Sequence, residues 1–137
     1  MNTFLLEIVT PERIAYSDKV EMVTVPSVMG TMGVLTRHIP LFAQLTEGEL
    51  KIKKGGEDIF LAIGGGFIEV TKEKVIVLVT RAVHAKELNE QEILRAKKEA
   101  ETALKAKLTG KELTQAQVLF RQSLVDLRIL RRRKRIH

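Results

Sequence analysis

Three histidines are the residues of this sequence best suited to acid–base or metal chemistry, and they lie far apart. They are His38, His84 and His137, and no two of them have the spacing of a metal-binding pair. Cysteine is absent, which excludes disulfides and thiolate ligands. A Gly-x-Ser-x-Gly motif and a Gly-x-x-x-x-Gly-Lys-Ser/Thr phosphate loop are also absent. The sequence therefore predicts no catalytic centre and no metal site.

Three consecutive glycines at residues 64–66 offer a possible phosphate-binding loop. Phosphate loops use the free N–H groups at the start of a helix. This run lies between two strand-like segments instead. We interpret it as a β-bulge or a place where two backbones approach closely.

The last 25 residues carry the whole net positive charge of the chain. Residues 1–112 contain sixteen Lys and Arg against sixteen Asp and Glu, whereas residues 113–137 contain seven basic residues against one acidic residue. The most basic segment is 131–135. Its cations could complement a helix dipole, bind nucleic acid or bind another acidic partner. The interleaved aromatic residues that single-strand binders use for stacking are missing.

Residues 30–41 form the most unusual stretch, Gly-Thr-Met-Gly-Val-Leu-Thr-Arg-His-Ile-Pro-Leu. Gly30 and Gly33 give the backbone freedom to turn, and Pro40 restricts both its own φ and the conformation of Ile39. We predict a rigid, irregular loop that projects from a sheet and serves as a contact surface. On the residues alone, His38 is best interpreted as a loop histidine hydrogen-bonded to nearby backbone.

Bulk composition indicates one domain, or a small domain with an appendage. The 137 residues are 45% hydrophobic but only 4% aromatic, so the core must be aliphatic. No apolar run approaches the roughly 20 residues needed to span a bilayer. The first eight residues include Glu7 and do not resemble a signal peptide. We expect a soluble protein whose membrane association comes through a partner.

The first 86 residues show the alternation of half-buried strands. Strands are predicted at 4–8, 19–25, 49–53, 59–63, 67–71 and 75–80. Gly55 and Gly56 fit the tight turn of a hairpin. Short strands separated by turn signals predict an antiparallel β-sandwich or flattened barrel over residues 1–86.

Residues 87–137 have helical periodicity instead. Asn89 and Glu92 form a capping-box pattern at the start of a first helix. Gly110 is predicted to end that helix in a left-handed cap, and Thr114 to cap a second helix. The two helices should form an antiparallel hairpin that is marginally stable by itself.

Several motifs, taken in order, resemble the epsilon subunit of F-type ATP synthases, which mitochondrial naming calls delta. They are the Leu-x-Ile-Val-Thr-Pro opening, Gly-x-x-Gly-Val-Leu-x-x-His-x-Pro-Leu, the later Gly-Gly-Phe-Ile-Glu-Val, and the helical last third. The resemblance covers nearly the whole chain. It implies a non-catalytic rotor subunit at the cytoplasmic face of the bacterial inner membrane, bound there through its partners.

The resemblance also implies two contact sites. One is an interface with the c-ring and the gamma subunit, formed by Gly30, Thr31, Met32, Gly33, His38, Pro40 and Leu41. Thr31 stands where many relatives carry an acidic residue, so packing or hydrogen bonding must replace a salt bridge there. The other is an inhibitory contact with the beta subunit, formed by Arg121, Arg128, Arg131, Arg132, Arg133, Lys134 and Arg135. In such a contact the helices extend along gamma into the alpha–beta hexamer.

Some bacterial relatives bind ATP through Ile/Leu-Asp-x-x-Arg-Ala at the first helix. Here the corresponding residues are Gln91, Glu92, Arg95 and Ala96, with Gln for the apolar residue and Glu for Asp. We expect no ATP binding and no other cofactor. The alternative to the rotor interpretation is a nucleic-acid-binding module with a basic helical arm.

Overall fold

The computed structural model describes residues 2–136, with side chains through residue 132. The chain divides into two compact units between His84 and Ala85, two residues before the boundary expected from the sequence. No helix in the described part of the chain is long and apolar enough to cross a membrane.

The first unit consists of short strands. The described residues contain ten of them: β1 (Phe4–Val9), β2 (Ile14–Val20), β3 (Met22–Ser27), β4 (Gly30–Leu35), β5 (Leu41–Leu45), β6 (Gly48–Lys54), β7 (Glu57–Ile63), β8 (Gly66–Val70), β9 (Lys74–Val79) and β10 (Ala82–His84).

These strands pair in the order β10-β7-β6-β3-β5-β8-β9-β1-β2, with β4 added on β3. The pairs are antiparallel except that β1 runs parallel to β9. A single pair, Ser27 with Leu45, joins the β3 layer to the β5 layer. At the opposite edge, an Arg13 Nη2 donates to the Ala82 carbonyl over 3.1 Å and ties the start of β2 to β10. The predicted sandwich, or flattened barrel, is confirmed.

Alternate residues of both layers point inward and make an aliphatic core. Their burial removes apolar surface from water, which is the main force that holds the layers together. The largest of these fully buried side chains are Leu6, Ile8, Leu45, Leu50, Ile52, Leu61, Ile63 and Ile68.

One predicted strand, at 19–25, is wrong because the chain turns in the middle of it. Val20 ends β2 and Met22 begins β3. Between them, the Glu21 N–H donates to the Lys53 carbonyl over 2.9 Å, and Glu21 Oε1 accepts the Gly55 N–H over 2.6 Å. The apolar pattern ran across the turn because valines lie close to it on both sides. Strand β2 has a single fully buried residue, Val20, so it showed no clear apolar alternation of its own.

The prediction of one irregular loop at 30–41 is also wrong. Gly30–Leu35 is the regular strand β4, paired residue for residue with β3. The irregular part is confined to residues 36–40. Glycine is less common in strands than most residues, but neighbouring strands can override this preference. Here the missing side chain of Gly33 leaves the space that the Met22 side chain fills, since a Cβ at Gly33 would lie 2.8 Å from Met22 Cε.

The predictions for the glycines of the β6–β7 turn and of the 64–66 run are confirmed. Gly55 and Gly56 have φ values of +57° and +81°, the left-handed conformations that a tight hairpin turn requires. Gly66 lies so close to β9 that an added Cβ would be 2.8 Å from Val79 Cα. The glycine run is therefore a place of close backbone packing.

The described residues of the second unit form a 3₁₀ turn (Ala85–Glu87) and two helices, α1 (Glu90–Lys105) and α2 (Gly110–Ile136), which pack against each other. The side chain of Asn89 caps α1 by accepting the Glu92 N–H over 3.0 Å. Glu90 and Glu92 in the first turn and Lys105 in the last turn complement the helix dipole.

Two details of the predicted helix boundaries are wrong. Gly110 does have a left-handed φ of +61°, but it begins α2, whereas α1 already ends at Lys105 with Ala106 as its C-cap. Thr114 lies inside α2, where its hydroxyl donates to the Gly110 carbonyl one turn earlier. The strong helix formers after Gly110 extend α2 by a full turn toward its N-terminus.

Candidate interface surfaces

The β3–β4 hairpin places Gly30 and Thr31 at one end of the sandwich. The turn is held by the Ser27 hydroxyl, which donates to the Gly30 carbonyl over 2.6 Å and accepts the Met29 N–H over 3.2 Å. Gly30 takes a φ of +117°, which a side chain would disfavour. Met29 at the tip is 93% exposed. We call this end, formed by residues 27–31 and the adjoining turns, the Gly30 end.

Three further residues of the expected interface, His38, Pro40 and Leu41, lie at the opposite end. His38 Nδ1 is 2.8 Å from the Ile39 carbonyl, and because a carbonyl only accepts, Nδ1 must donate. Pro40 is exposed, and Leu41 begins β5 opposite Val70. We call this end, formed by residues 36–41 and the turn at 71–74, the His38 end.

Strand β4 connects the two ends. Its six residues, which include Met32 and Gly33, advance about 17 Å at the usual rise of a strand. The structure therefore does not bring the seven expected residues together. It separates them into a hairpin tip and a turn at opposite ends of one rigid body, and each end can contact a different partner.

An exposed apolar cluster on the sheet was missed from the sequence. Phe42 on β5, Phe67 on β8 and Leu78 on β9 are 65%, 43% and 50% exposed. The two phenyl rings stack with centroids 5.1 Å apart, and Phe67 pairs with Leu78 across the ladder. We call these three residues the Phe42 patch. Phe67 and Leu78 lie on strands that the sequence predicted, where they alternate with buried residues, and that alternation was a signal for part of the patch. The strand that carries Phe42 was not predicted.

Two ion pairs lie elsewhere on the sandwich surface. The Lys74 ammonium lies 2.8 Å from Glu7 Oε1, and this hydrogen bond raises the pKa of Lys74. Lys54 forms a hydrogen-bonded ion pair with Asp18, which lowers the pKa of that carboxyl. The first pair joins the neighbouring strands β9 and β1, and the second joins β6 to β2, which are not paired in the sheet. Each pair ties two strands together at the surface, so we assign both a structural role.

The basic residues of α2 follow helical spacing. Arg121, Arg128 and Arg132 are separated by seven and four residues, so they lie along one face over about 16 Å. These three side chains and that of Arg131 are exposed. The side chains of Arg133, Lys134 and Arg135, and the whole of His137, lie outside the described residues.

The residues considered for ATP binding lie in the first turns of α1. Glu92 is the third residue of the helix, and its N–H is bonded to the Asn89 cap. Arg95 follows after three residues, and both side chains are exposed. The capping position accounts for an acidic residue here without a nucleotide.

Comparison with known proteins identifies the class of protein that this fold defines. Residues 3–85 match the family described as the β-sandwich domain of the ATP synthase delta/epsilon chain. The ATP synthase epsilon chain of Herpetosiphon aurantiacus is 39% identical over 129 residues, which cover 94% of this chain and 95% of the relative. That of Caldicellulosiruptor saccharolyticus is 37% identical and covers 98% of each chain.

A solved structure has the same fold. A chain in the mitochondrial ATP synthase of Euglena gracilis superposes with a TM-score of 0.68 at 22% identity, covering 100% of this chain and 83% of its own length. The present chain belongs to the ATP synthase delta/epsilon family. It is related over nearly its full length to epsilon chains, which are non-catalytic subunits of the enzyme.

Proposed function

We propose that this chain is a central-stalk rotor subunit of a proton- or sodium-translocating F-type ATP synthase, in which the sandwich links the gamma subunit to the c-ring. The observation that carries the proposal is the separation of two exposed contact surfaces on one rigid sandwich. A body of this kind can transmit torque because its paired strands do not deform between the two contacts.

The Gly30 end is assigned to the c-ring. Its tip offers Met29, Gly30 and Thr31, which are exposed and uncharged, so the contact is made by packing and by the Thr31 hydroxyl. The c-ring also supplies the only attachment to the membrane that this assignment requires, at the cytoplasmic face of the bacterial inner membrane.

The Phe42 patch, with His38, Pro40 and Leu41 next to it in the chain, is assigned to gamma. Covering three large apolar side chains on one sheet face costs little desolvation free energy, and the covered surface then excludes water. Phe42→Asp combined with Phe67→Asp should weaken binding to purified gamma subunit at least tenfold. Ile14→Asp is the matched control, because Ile14 is also an exposed apolar strand residue, at 62%, but lies outside the patch. Equal binding by both variants would contradict the assignment.

The helical unit is assigned to regulation, in which α1 and α2 extend along gamma and inhibit ATP hydrolysis. Two features support this: the helices form a compact unit of their own, and α2 has 27 residues, about 40 Å of helix. Its Arg121, Arg128 and Arg132 face would meet acidic residues of the beta subunit.

Deletion of residues 88–137 tests this regulatory role. We expect assembly and ATP synthesis to be retained while the rate of ATP hydrolysis rises several-fold. Replacing Arg121, Arg128 and Arg132 together by Gln should reproduce part of that rise without removing the helices. Unchanged hydrolysis in both variants would rule out the inhibitory role and leave the coupling role standing.

A further inference from the structure

A groove of about 630 Å³ opens at the His38 end of the sandwich. It lies between the turn that follows β4 and the turn that joins β8 to β9. Phe4 and the exposed Ile39 contribute apolar surface to it, and Arg37 and Lys72 contribute positive charge. His38 and Pro40, which are assigned above to gamma, also line this groove, but Arg37 and Lys72 have no part in that assignment.

The two cations are available for a ligand. Within the part of the chain that the structure describes, neither the Arg37 guanidinium nor the Lys72 ammonium has a hydrogen bond or an ion pair. Lys74, which also lines the groove, is already bonded to Glu7. Glu73 is the acidic residue among the lining groups. The unpaired charge at the groove is therefore cationic on both of its walls, with one carboxylate beside Lys72.

The backbone at Arg37 indicates that its side chain is needed. Arg37 has a φ of +63°, and among the described residues it is the only non-glycine residue with a left-handed backbone. The four other left-handed positions, residues 30, 55, 56 and 110, are all glycine. A turn that served only to reverse the chain would be made more easily with glycine at this position too.

We propose that this groove binds a phosphate group whose carrier has an apolar part. The planar guanidinium of Arg37 can donate two parallel hydrogen bonds to phosphate oxygens, and the Lys72 ammonium adds a third charge-assisted bond from the opposite wall. The apolar surface of Phe4 and Ile39 receives the carrier. The site is distinct from the glycine run at residues 64–66, which lies at the other end of the sandwich.

Titration of the full chain with inorganic phosphate, followed by ¹⁵N–¹H NMR, tests the proposal. We expect saturable shifts of the amides at residues 36–40 and 71–74. Sodium chloride at equal ionic strength should not reproduce them. Shifts that do not saturate, that chloride reproduces or that concentrate at other lysines and arginines would overturn the proposal.

Two substitutions separate binding from folding. Arg37→Gly removes the guanidinium and relieves the backbone, so phosphate affinity should fall at least tenfold while the unfolding temperature stays the same or rises. Lys72→Gln should also weaken binding, and it gives a second test should Arg37→Gly alter the turn. Lys53→Gln is the matched control, since Lys53 is an exposed lysine of the same unit outside the groove. Loss of affinity in the control equal to that in the groove variants would contradict the site.

A vesicle experiment distinguishes a lipid headgroup from a free phosphate compound. Vesicles of phosphatidylglycerol should bind the wild-type chain more tightly than the Arg37→Gly chain if the carrier is a lipid. If inorganic phosphate binds the wild-type chain saturably, but the two chains bind vesicles equally, the carrier is a soluble compound. Equal vesicle binding by the two chains, together with no saturable phosphate shift, would refute phosphate recognition by the groove.

Discussion

Replacing Gly66 with alanine should destabilise the sandwich more than any other glycine-to-alanine change in the 64–66 run. A Cβ at Gly66 would meet the Leu78 carbonyl oxygen and lie 2.8 Å from Val79 Cα and 2.9 Å from the Leu78 carbonyl carbon. These are backbone atoms of β9, and Gly66 is also paired with Leu45 on β5. The strand therefore cannot move away without breaking hydrogen bonds on one side or the other.

The magnitude follows from the cost of overpacking. Inserting a methyl group into a packed interior costs about 1–3 kcal/mol, and rigid backbone on both sides places Gly66→Ala at about 3 kcal/mol. That loss corresponds to a fall of about 10 °C in the unfolding temperature for a chain of this size. Urea and thermal unfolding followed by circular dichroism of the strands would measure it.

The neighbouring glycine provides the control. A Cβ at Gly65 would meet only the Leu45 carbonyl oxygen at 3.5 Å, which is an ordinary contact. Gly65→Ala should therefore change the free energy of unfolding by less than about 1 kcal/mol, because it also reduces the freedom of the unfolded chain. If the two variants had the same stability, the interpretation of the run as close backbone packing would be refuted.

Two further predictions concern single polar groups. The Tyr16 hydroxyl is buried without a hydrogen-bond partner among the described residues, and burial raises the pKa of this phenol. The stability that Tyr16 contributes should be complete below the ordinary tyrosine pKa near 10 and should be lost as the pH rises through the higher pKa of the folded chain. Absorbance at 295 nm reports the ionisation of Tyr16 directly, since it is the only tyrosine and Trp is absent. A titration midpoint at the ordinary tyrosine pKa would contradict the prediction. Asn89→Ala should destabilise the helical unit by about 1 kcal/mol through loss of the α1 cap, whereas Asn89→Asp should retain it; equal helix melting curves would show that the cap contributes nothing.

Local chemistry made much of the fold predictable. The β6–β7 hairpin followed from alternation on both sides of Gly55 and Gly56, and the start of α1 followed from Asn89 as a cap. In each case the deciding interaction lies within a few residues of the signal, so a single sequence contains it.

Errors arose where distant residues decide the local structure. The chain turns at Glu21 because Lys53 and Gly55 bond to it, and both are more than thirty residues away. Strand β4 exists because β3 is available to pair with it, in spite of its two glycines. No pattern within residues 19–35 could report either fact.

The candidate contact surfaces were only partly predictable for the same reason. The resemblance identified individual residues such as Thr31 and His38, but their separation to opposite ends depends on the direction of β4. The Phe42 patch joins residues from three strands, and the groove beside Arg37 joins two turns. Such sites become visible only after the register of the sheet is known.

The most direct test of the rotor assignment is affinity purification of this chain, tagged at its N-terminus, from the cells that produce it, after nuclease treatment. We expect the alpha, beta and gamma subunits and the c-ring to co-purify with it in mild detergent. When the complex is dissociated so that the alpha and beta subunits and the c-ring are removed, gamma should still co-purify. Recovery of the chain with nucleic acid before nuclease treatment, and without gamma after it, would contradict the account and favour a basic nucleic-acid-binding module.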